Sequence, residues 1–446
     1  MPDVLITGLG AIGPLGGNVP DTWAAALRAV SGIRQLPAAM VDEYALPVSF
    51  AGVAAIEPAE KLTKPELNRM DRATQFALIA AREAWRDAGF VGAGGGGAGG
   101  GGAGGGAAGA AAGGGSADAA KSASQGVEPS RLAVSVSSAL GGITTTLGAW
   151  DTMQSRGVRR VLPLTIPMLM PNAAAAVLAL EFDAQAGAHA PTSACAAGAE
   201  AIAYGYQLIK GGQADVVIAG GTEAPIHPLV IGAFAAARAL TTRNDSPARA
   251  SRPFALHRDG FVLSEGAGIV ILESEPHARA RGATGYARLA GAGITSDAYH
   301  LTAPEPDGRG QISAMRAAIR GADAHPSDVR HINPHATSTP LGDGVEARAI
   351  AEVLGGATDA ALVSATKSLT GHLLGGAGGL EAVLAVLAIA HRMAPPTINT
   401  GGDLDPDIPL ALVLDKPSAL PAGDLLALSN SFGFGGHNVS LAFAPC

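Results

Sequence analysis

Two stretches of this chain spell helices with no polar face. Ala196 to Lys210 (AAGAEAIAYGYQLIK) is Ala-rich with apolar residues on every side, and the run LLGGAGGLEAVLAVLAIA after His372 carries one charge, Glu381. A helix that is apolar all round has to be covered all round. Each of these follows an extended segment and a reactive side chain: Ala190 to Ala194 and then Cys195 in the first, Ala361 to Thr366 and then Lys367 and His372 in the second. A strand, a reactive group and a buried small-residue helix thus occur once in each half. This predicts an α/β chain of two packed repeats, residues 1–281 and 282–446, with the two helix N-termini facing one cleft.

The length of 446 residues suits two intimately packed halves, and a composition of 48% hydrophobic against 15% charged residues supplies a large core. A formal net charge of −8 argues against nucleic acid as the main partner. The two cysteines, Cys195 and the terminal Cys446, exclude a disulfide framework and fit a reducing compartment. Met1-Pro2-Asp3 leads straight into an apolar strand without a basic region or cleavage site, and the apolar runs read as too short or too glycine-rich to span a bilayer. The expectation is a cytoplasmic protein with no membrane partner.

Several motifs are set aside. Gly8-x-Gly10-x-x-Gly13 after the strand at 4–8 matches a dinucleotide fingerprint, but Pro14, Gly16 and Gly17 interrupt the helix that would carry the pyrophosphate. A strand-to-loop turn is the expected use of those glycines. Residues 92–115 are all Gly or Ala, with a small polar tail to Gln125. So little to bury and so much backbone entropy predict a disordered surface insertion over 92–125. Lys64, Arg69 and Arg72 form a small basic group, and Arg159 and Arg160 a second, ahead of the proline-broken apolar run to Met170, for which core is the default reading. Each basic group is either a solvated surface or a docking spot for an acidic partner. Strands are expected at 131–137, 214–221, 266–273, 286–294, 329–333, 361–366, 410–414, 425–429 and 438–443, and helices at 74–88, 311–321 and 344–354.

Cys195 stands at a strand-to-helix turn among small residues, where unpaired amide N–H groups and the helix dipole favour a thiolate. An inert buried cysteine is the alternative, as a structural role is for either histidine alone. His335 (in INPHATSTPLGD), Lys367 and His372 also fall at element ends. Zinc lacks a C-x-x-C or H-x-x-x-H spacing. A cysteine hydrolase needs one histidine base and an orienting group. Two histidines suit the holding of a thioester carbonyl while charge develops on its oxygen.

On these residues the chain resembles the β-ketoacyl-acyl-carrier-protein synthases, the elongating type I/II condensing enzymes of the thiolase superfamily. The matching motifs are SACAAG at 193–198, GGTEA at 220–224, RALTTRND at 238–245, ASRPF at 250–254, DGFVLSEGAG at 259–268, SDAYH at 296–300, HATSTPLGD at 335–343, TKSLTGHLLG at 366–375 and NSFGFGGHN at 430–438. Pro334 and His437 depart from the pattern, and Asn68 stands where a basic residue is common. The resemblance implies a thiolase-like five-layer αβαβα fold of two pseudo-duplicated halves and a decarboxylative Claisen condensation in fatty-acid elongation. It implies Cys195 as nucleophile, His335 and His372 assisting decarboxylation of malonyl-carrier protein, and Lys367 supporting the site with Asp343 and Glu346 as its neighbours. It further implies an oxyanion hole from the N–H groups of Cys195 and Phe434, Phe434 as gate of the acyl pocket and Leu140 at its floor, and Thr337 and Thr339 on the phosphopantetheine arm. Lys64, Arg69, Arg159 and Arg160 would dock acyl carrier protein, and Asn333, Glu381 and Asn430 would hold a structural K+ or Na+. No cofactor is required beyond the 4′-phosphopantetheine on the carrier, and a homodimer is expected.

Two other readings stay open. The catalytic ketosynthase of a type II polyketide pair shares the chemistry but works as a heterodimer with a chain-length partner. A non-catalytic chain-length partner or scaffold is disfavoured by Cys195, and a degradative thiolase by the lack of a second cysteine in a glycine-rich motif.

Overall fold

The computed structural model describes residues 1–90 and 126–446; the insertion expected at 92–125 lies outside the described residues. Numbering the strands of the main sheet, the first half contributes β1 (Val4–Ile12), β2 (Leu132–Ser137), β3 (Ala188–His189), β4 (Val216–Glu223) and β5 (Gly266–Ser274). The second contributes β6 (Ala287–Ser296), β7 (Val329–Asn333), β8 (Leu362–Val363), β9 (Ala411–Leu412), β10 (Leu426–Gly433) and β11 (His437–Ala444). The sheet runs β9-β8-β7-β10-β11-β6-β1-β5-β4-β2-β3. Set β9 aside and each half has the same order, its third strand outermost, then second, fourth, fifth and first. The directions repeat too: the first strand pairs antiparallel with the fifth and the fifth antiparallel with the fourth, while the fourth, second and third are parallel. The halves join where β1 meets β6 antiparallel, Leu5 opposite Arg288.

The helices packed on these strands include α1 (Arg72–Asp87), α2 (Ala173–Phe182), α3 (Ala197–Lys210), α4 (Arg309–Gly321), α5 (Pro340–Leu354) and α6 (Ala377–His391). Period-two alternation on β4 sorts its side chains. Val216 and Ile218 meet α1 and α2 outside, while Val217 and Ala219 meet α3 and α6 inside. A strand covered on both faces has no solvent side, and every residue of β4 is buried. On the other flank α4 and α5 cover β7, β8 and β11 through Met315, Ile319 and Ile350. The layers therefore read helix, sheet, helix, sheet, helix, with the two apolar helices in the middle. Thirteen residues of α6, Glu381 among them, are buried. Leu374–His391 is long and apolar enough to cross a membrane, against the expectation that no run is, but 89% of it is buried inside the protein.

The two central helices meet at their N-termini without side chains between them. A Cβ on Gly198 would stand 2.7 Å from the carbonyl oxygen of Gly375. Only glycine permits that approach, and it places the segments that carry Cys195 and His372 side by side.

Three expectations of local structure are corrected. β1 continues to Ile12, so Gly8 and Gly10 are strand residues, not a turn; a methyl on either would overlap the carbonyl oxygens of Ala84 and Ala80 on α1. Only Gly13, bridged to Gly16, makes the expected turn. The strand at 361–366 shrinks to Leu362–Val363, because its end turns into the short helix Lys367–Thr370. The run at 159–170 is not core: Leu162, Leu164 and Ile166 are exposed on a helical hairpin that leaves β2, runs through Ile143–Arg156 and returns through Thr165–Leu169.

Candidate active site

Cys195 sits in a single 3-10 turn, Ala194–Ala196, that runs into α3. Ala194 adopts φ +51°, a left-handed turn that aims the next residue into the cleft. The backbone N–H groups of Phe434 and of Cys195 itself face the sulfur. Phe434 follows β10 directly, held there because Gly433 lies against the Cys195 turn: a Cβ on Gly433 would stand 2.7 Å from Ser193 O and 3.2 Å from Cys195 N. Two amides thus converge where an oxyanion would form on a carbonyl bonded to sulfur.

Across a cavity of about 420 Å³ lie His335 and His372, which line it with Cys195. Their ring centres are 5.2 Å apart and nearly perpendicular. His335 follows β7, and its loop is shaped by two buried carboxylates. Glu346 accepts the N–H of His335 (2.8 Å) and Ala336 (2.7 Å), while Asp343 accepts those of Phe254, Ser338 and Thr339. Burial raises both acids, Glu346 to about 7 and Asp343 to about 6.

Lys367 is buried, with its ammonium paired to Glu381 on α6 and 3.5 Å from Nδ1 of His335. Of the expected neighbours Asp343 and Glu346, only Glu346 feels the lysine's charge, and the ion-pair partner is Glu381 instead; both acids accept backbone N–H groups of the His335 loop, and Asp343 that of Phe254 as well. An ammonium donates and cannot accept, so Nδ1 is the acceptor and the His335 proton sits on Nε2. Burial and then the Lys367 charge hold both imidazoles well below their usual range, so both are neutral. Neither ring nitrogen of His372 has a partner among the described residues.

The thiol departs from expectation. Loss of solvent pushes Cys195 up to about 11, outweighing the Phe434 N–H and the Lys367 charge that pull it down. The helix start aims the sulfur but does not leave a standing thiolate.

Thr337 and Thr339 line the same cavity, their hydroxyls 3.1 Å apart. Phe434 also lines it, 38% exposed. Leu140 does not: it is exposed on the loop after β2, on the hairpin side rather than the cavity. Lys64, Arg69, Arg159 and Arg160 are exposed and make no ion pair among the described residues, whereas Arg72 is tied to Glu57 and Glu265 at 2.7 Å each. Asn333 and Asn430 are buried, their side chains bonded to Thr366 and Ser440, and of Glu381 the second oxygen, Oε2, is buried without a partner among the described residues. Two residues escaped the sequence reading. Arg238 at the cavity mouth and the buried Gln311 in its wall both line the cavity, the first inside a quoted motif, the second with no signal at all.

A sulfur under two amides, sharing one cavity with two neutral imidazoles, defines a condensing acyltransferase of thiolase-like fold. The chain belongs to the β-ketoacyl synthase family: residues 1–278 match the Beta-ketoacyl synthase, N-terminal domain, and residues 286–401 the C-terminal domain. It is 40% identical over 443 residues to the 3-oxoacyl-[acyl-carrier-protein] synthase 2 of Mycobacterium tuberculosis, covering 99% of this chain and 97% of that one. To the synthase of the same name from Staphylococcus aureus it is 40% identical over 441 residues, with the same shares. Among solved structures, a type II polyketide ketosynthase in complex with its acyl-carrier protein superposes with TM-score 0.84 at 29% identity, covering both chains fully. A β-ketoacyl synthase from Burkholderia phymatum does so with TM-score 0.84 at 31% identity, again over both chains.

Proposed function

We propose that the chain lengthens an acyl chain by two carbons, with acyl carrier protein delivering both reactants as phosphopantetheine thioesters. The observation that supports this most is the single cavity shared by Cys195, the N–H of Phe434, and the two neutral imidazoles.

The sulfur of Cys195 attacks the acyl thioester carbonyl. The oxyanion sits on the N–H groups of Cys195 and Phe434, and collapse expels the carrier thiolate, which takes the cysteine's proton. Malonyl-carrier protein then binds with its thioester oxygen facing His335 Nε2–H and His372. The bond to the carboxylate breaks, CO₂ leaves, and its electron pair becomes an enolate that the two imidazoles stabilise by donating hydrogen bonds. No strong base is needed. The enolate carbon attacks the acyl carbonyl, the oxyanion returns to the amide pair, and collapse frees the Cys195 thiolate, which takes a proton from solvent water to replace the one that left with the first carrier thiol. The hydroxyls of Thr337 and Thr339 hold the phosphopantetheine arm, and Arg238 at the mouth faces its phosphate. No further cofactor takes part.

Phe434 gates the acyl pocket. Leu140 and the exposed Trp150, Leu162 and Ile166 belong to the surface on which a second copy of the chain completes that pocket, so the working unit is a homodimer, each copy built of halves 1–281 and 282–446. Lys64, Arg69, Arg159 and Arg160, exposed and without an ion pair among the described residues, are cations that would dock an acidic carrier protein. The buried, orphaned Oε2 of Glu381 fits a K+ or Na+ held with Asn333 and Asn430, which would supply fixed charge and no chemistry. The polyketide reading is consistent with the ketosynthase neighbour at TM-score 0.84, a score that the β-ketoacyl synthase neighbour equals. A requirement for a homologous partner subunit would decide for it.

His335→Ala tests the division of labour. Intact mass should still show acyl transfer to Cys195 while condensation with malonyl-carrier protein is lost. Equal loss of both half-reactions overturns it.

A further inference from the structure

A buried carboxylate that the chemistry above does not use lies at the junction of the two halves of the site. Glu223, the last residue of β4, is fully buried and accepts four hydrogen bonds. Three come from the loop after β2: Ser138 Oγ at 2.6 Å, Ala139 N at 2.7 Å and Leu140 N at 3.2 Å. The fourth comes from Gly375 N at 3.0 Å, three residues beyond His372 and just before α6. Ser138 Oγ in turn accepts Gly141 N at 2.9 Å, extending the tie toward the hairpin. A Cβ on Gly375 would stand 2.8 Å from the Glu223 carboxylate and 2.4 Å from Ala139 N, so the turn after His372 is seated directly on it. The carbonyl of Gly375 is the one that touches Gly198, three residues after Cys195. One side chain of the first half therefore fixes the loop that carries a catalytic imidazole of the second half, against the helix start that carries the sulfur.

We propose that Glu223 is a positioning residue for condensation, holding the His372 turn and the Ser138–Leu140 loop in register with Cys195. This rests on the reading of Cys195 and His372 as the reacting pair. A carboxylate is the group the place requires, since all four neighbours are donors. Glutamine keeps the shape but turns an NH₂ against N–H groups, so at least one donor loses its partner.

Glu223 is also a negative charge near the sulfur and opposes the thiolate, against the pull of Lys367. The other titratable or charged groups lining the cavity are Arg238, Asp297, Glu346 and the neutral His335 and His372, none of which the substitution below alters. This gives a readout that needs no substrate. In Glu223→Gln, the pH midpoint of Cys195 alkylation by iodoacetamide should move down by about half a unit or more, because a negative neighbour is gone. Condensation should fall about 10²-fold in kcat with KM within about twofold, since the arm-binding threonines are untouched. Ser138→Ala, which deletes one of the four bonds, should lower kcat about tenfold with the alkylation midpoint unmoved. A Glu223→Gln protein that keeps both wild-type kcat and the wild-type midpoint overturns the proposal, even if its Tm drops. Should that variant not fold, wild-type kcat in Ser138→Ala overturns it. If instead wild-type Cys195 takes no acyl group from any thioester, the proposed function fails, and the alkylation midpoint still reports on Glu223.

Discussion

Nζ of Lys367 lies 3.5 Å from Nδ1 of His335 while the same ammonium is paired with Glu381 on the central helix. The lysine thus decides which nitrogen of His335 carries the proton, and Glu381 decides where the lysine stands.

The pair can be separated from the chemistry. Lys367→Met leaves Glu381 as a buried charge with no counter-ion, a loss on the order of 3–5 kcal/mol that thermal melts should register. Adding Glu381→Gln removes that charge and should recover most of the Tm. Neither protein should recover condensation, because His335 has lost its donor and its fixed tautomer; malonyl decarboxylation is expected to fall about 10²-fold in both. If the double variant regains activity along with its Tm, the lysine acts through stability alone.

The amide pair offers a second test. Gly433→Ala drives a methyl against Ser193 O and the Cys195 backbone, and the Phe434 N–H moves off the sulfur. Loss of one oxyanion donor is expected to slow acyl transfer to Cys195 roughly 10²–10³-fold, read by intact mass over time. Acylation within about twofold of wild type would mean that Phe434 N–H is not part of the hole.

Burial sets the nucleophile's pH response. With the thiol pushed up to about 11, the thiolate fraction in the free protein should rise about tenfold per pH unit through neutrality and beyond pH 9. Iodoacetamide alkylation followed from pH 6 to 10 checks this. A plateau near pH 7 would restore the dipole-activated cysteine that the helix start alone suggests.

What could be read from the residues, and what could not, divides by range. The two apolar helices demanded cover on every side, and that demand was enough for the layered arrangement and the shared cleft. Cys195, His335, Lys367 and His372 fell at element ends and meet around one cavity or one ion pair. Glu381 as the partner of Lys367 is not legible, because a carboxylate near in sequence to His335 looks available until its backbone donors are seen; Asp343 and Glu346 accept N–H groups of their own loop, and Asp343 that of Phe254 too. Gly8 and Gly10 looked like a turn because glycine marks both turns and close approaches, and only the position of α1 tells them apart. The sign of the Cys195 shift was missed for a similar reason. A helix terminus is visible in sequence, whereas the extent of desolvation depends on which side chains close over the sulfur.

His331, two residues before Asn333 on β7, carries the last prediction. It is fully buried between β8 and β10, and neither ring nitrogen has a partner among the described residues. Burial lowers it to about 4, against about 6.5 in an unfolded chain. The unfolded state therefore binds a proton that the native state refuses, so this residue's contribution is intact above pH ~6.5, declines as pH falls, and levels off below about 4. The buried acids Glu223, Glu346 and Glu381, raised to about 7, act with the opposite sign, because the native state takes up their protons first. Comparison with His331→Leu cancels them. Between pH 7.5 and pH 5, denaturant unfolding should show the wild type losing roughly 2 kcal/mol relative to the variant. A difference that does not change with pH would mean the imidazole reaches solvent or a partner and is not held dry between the strands.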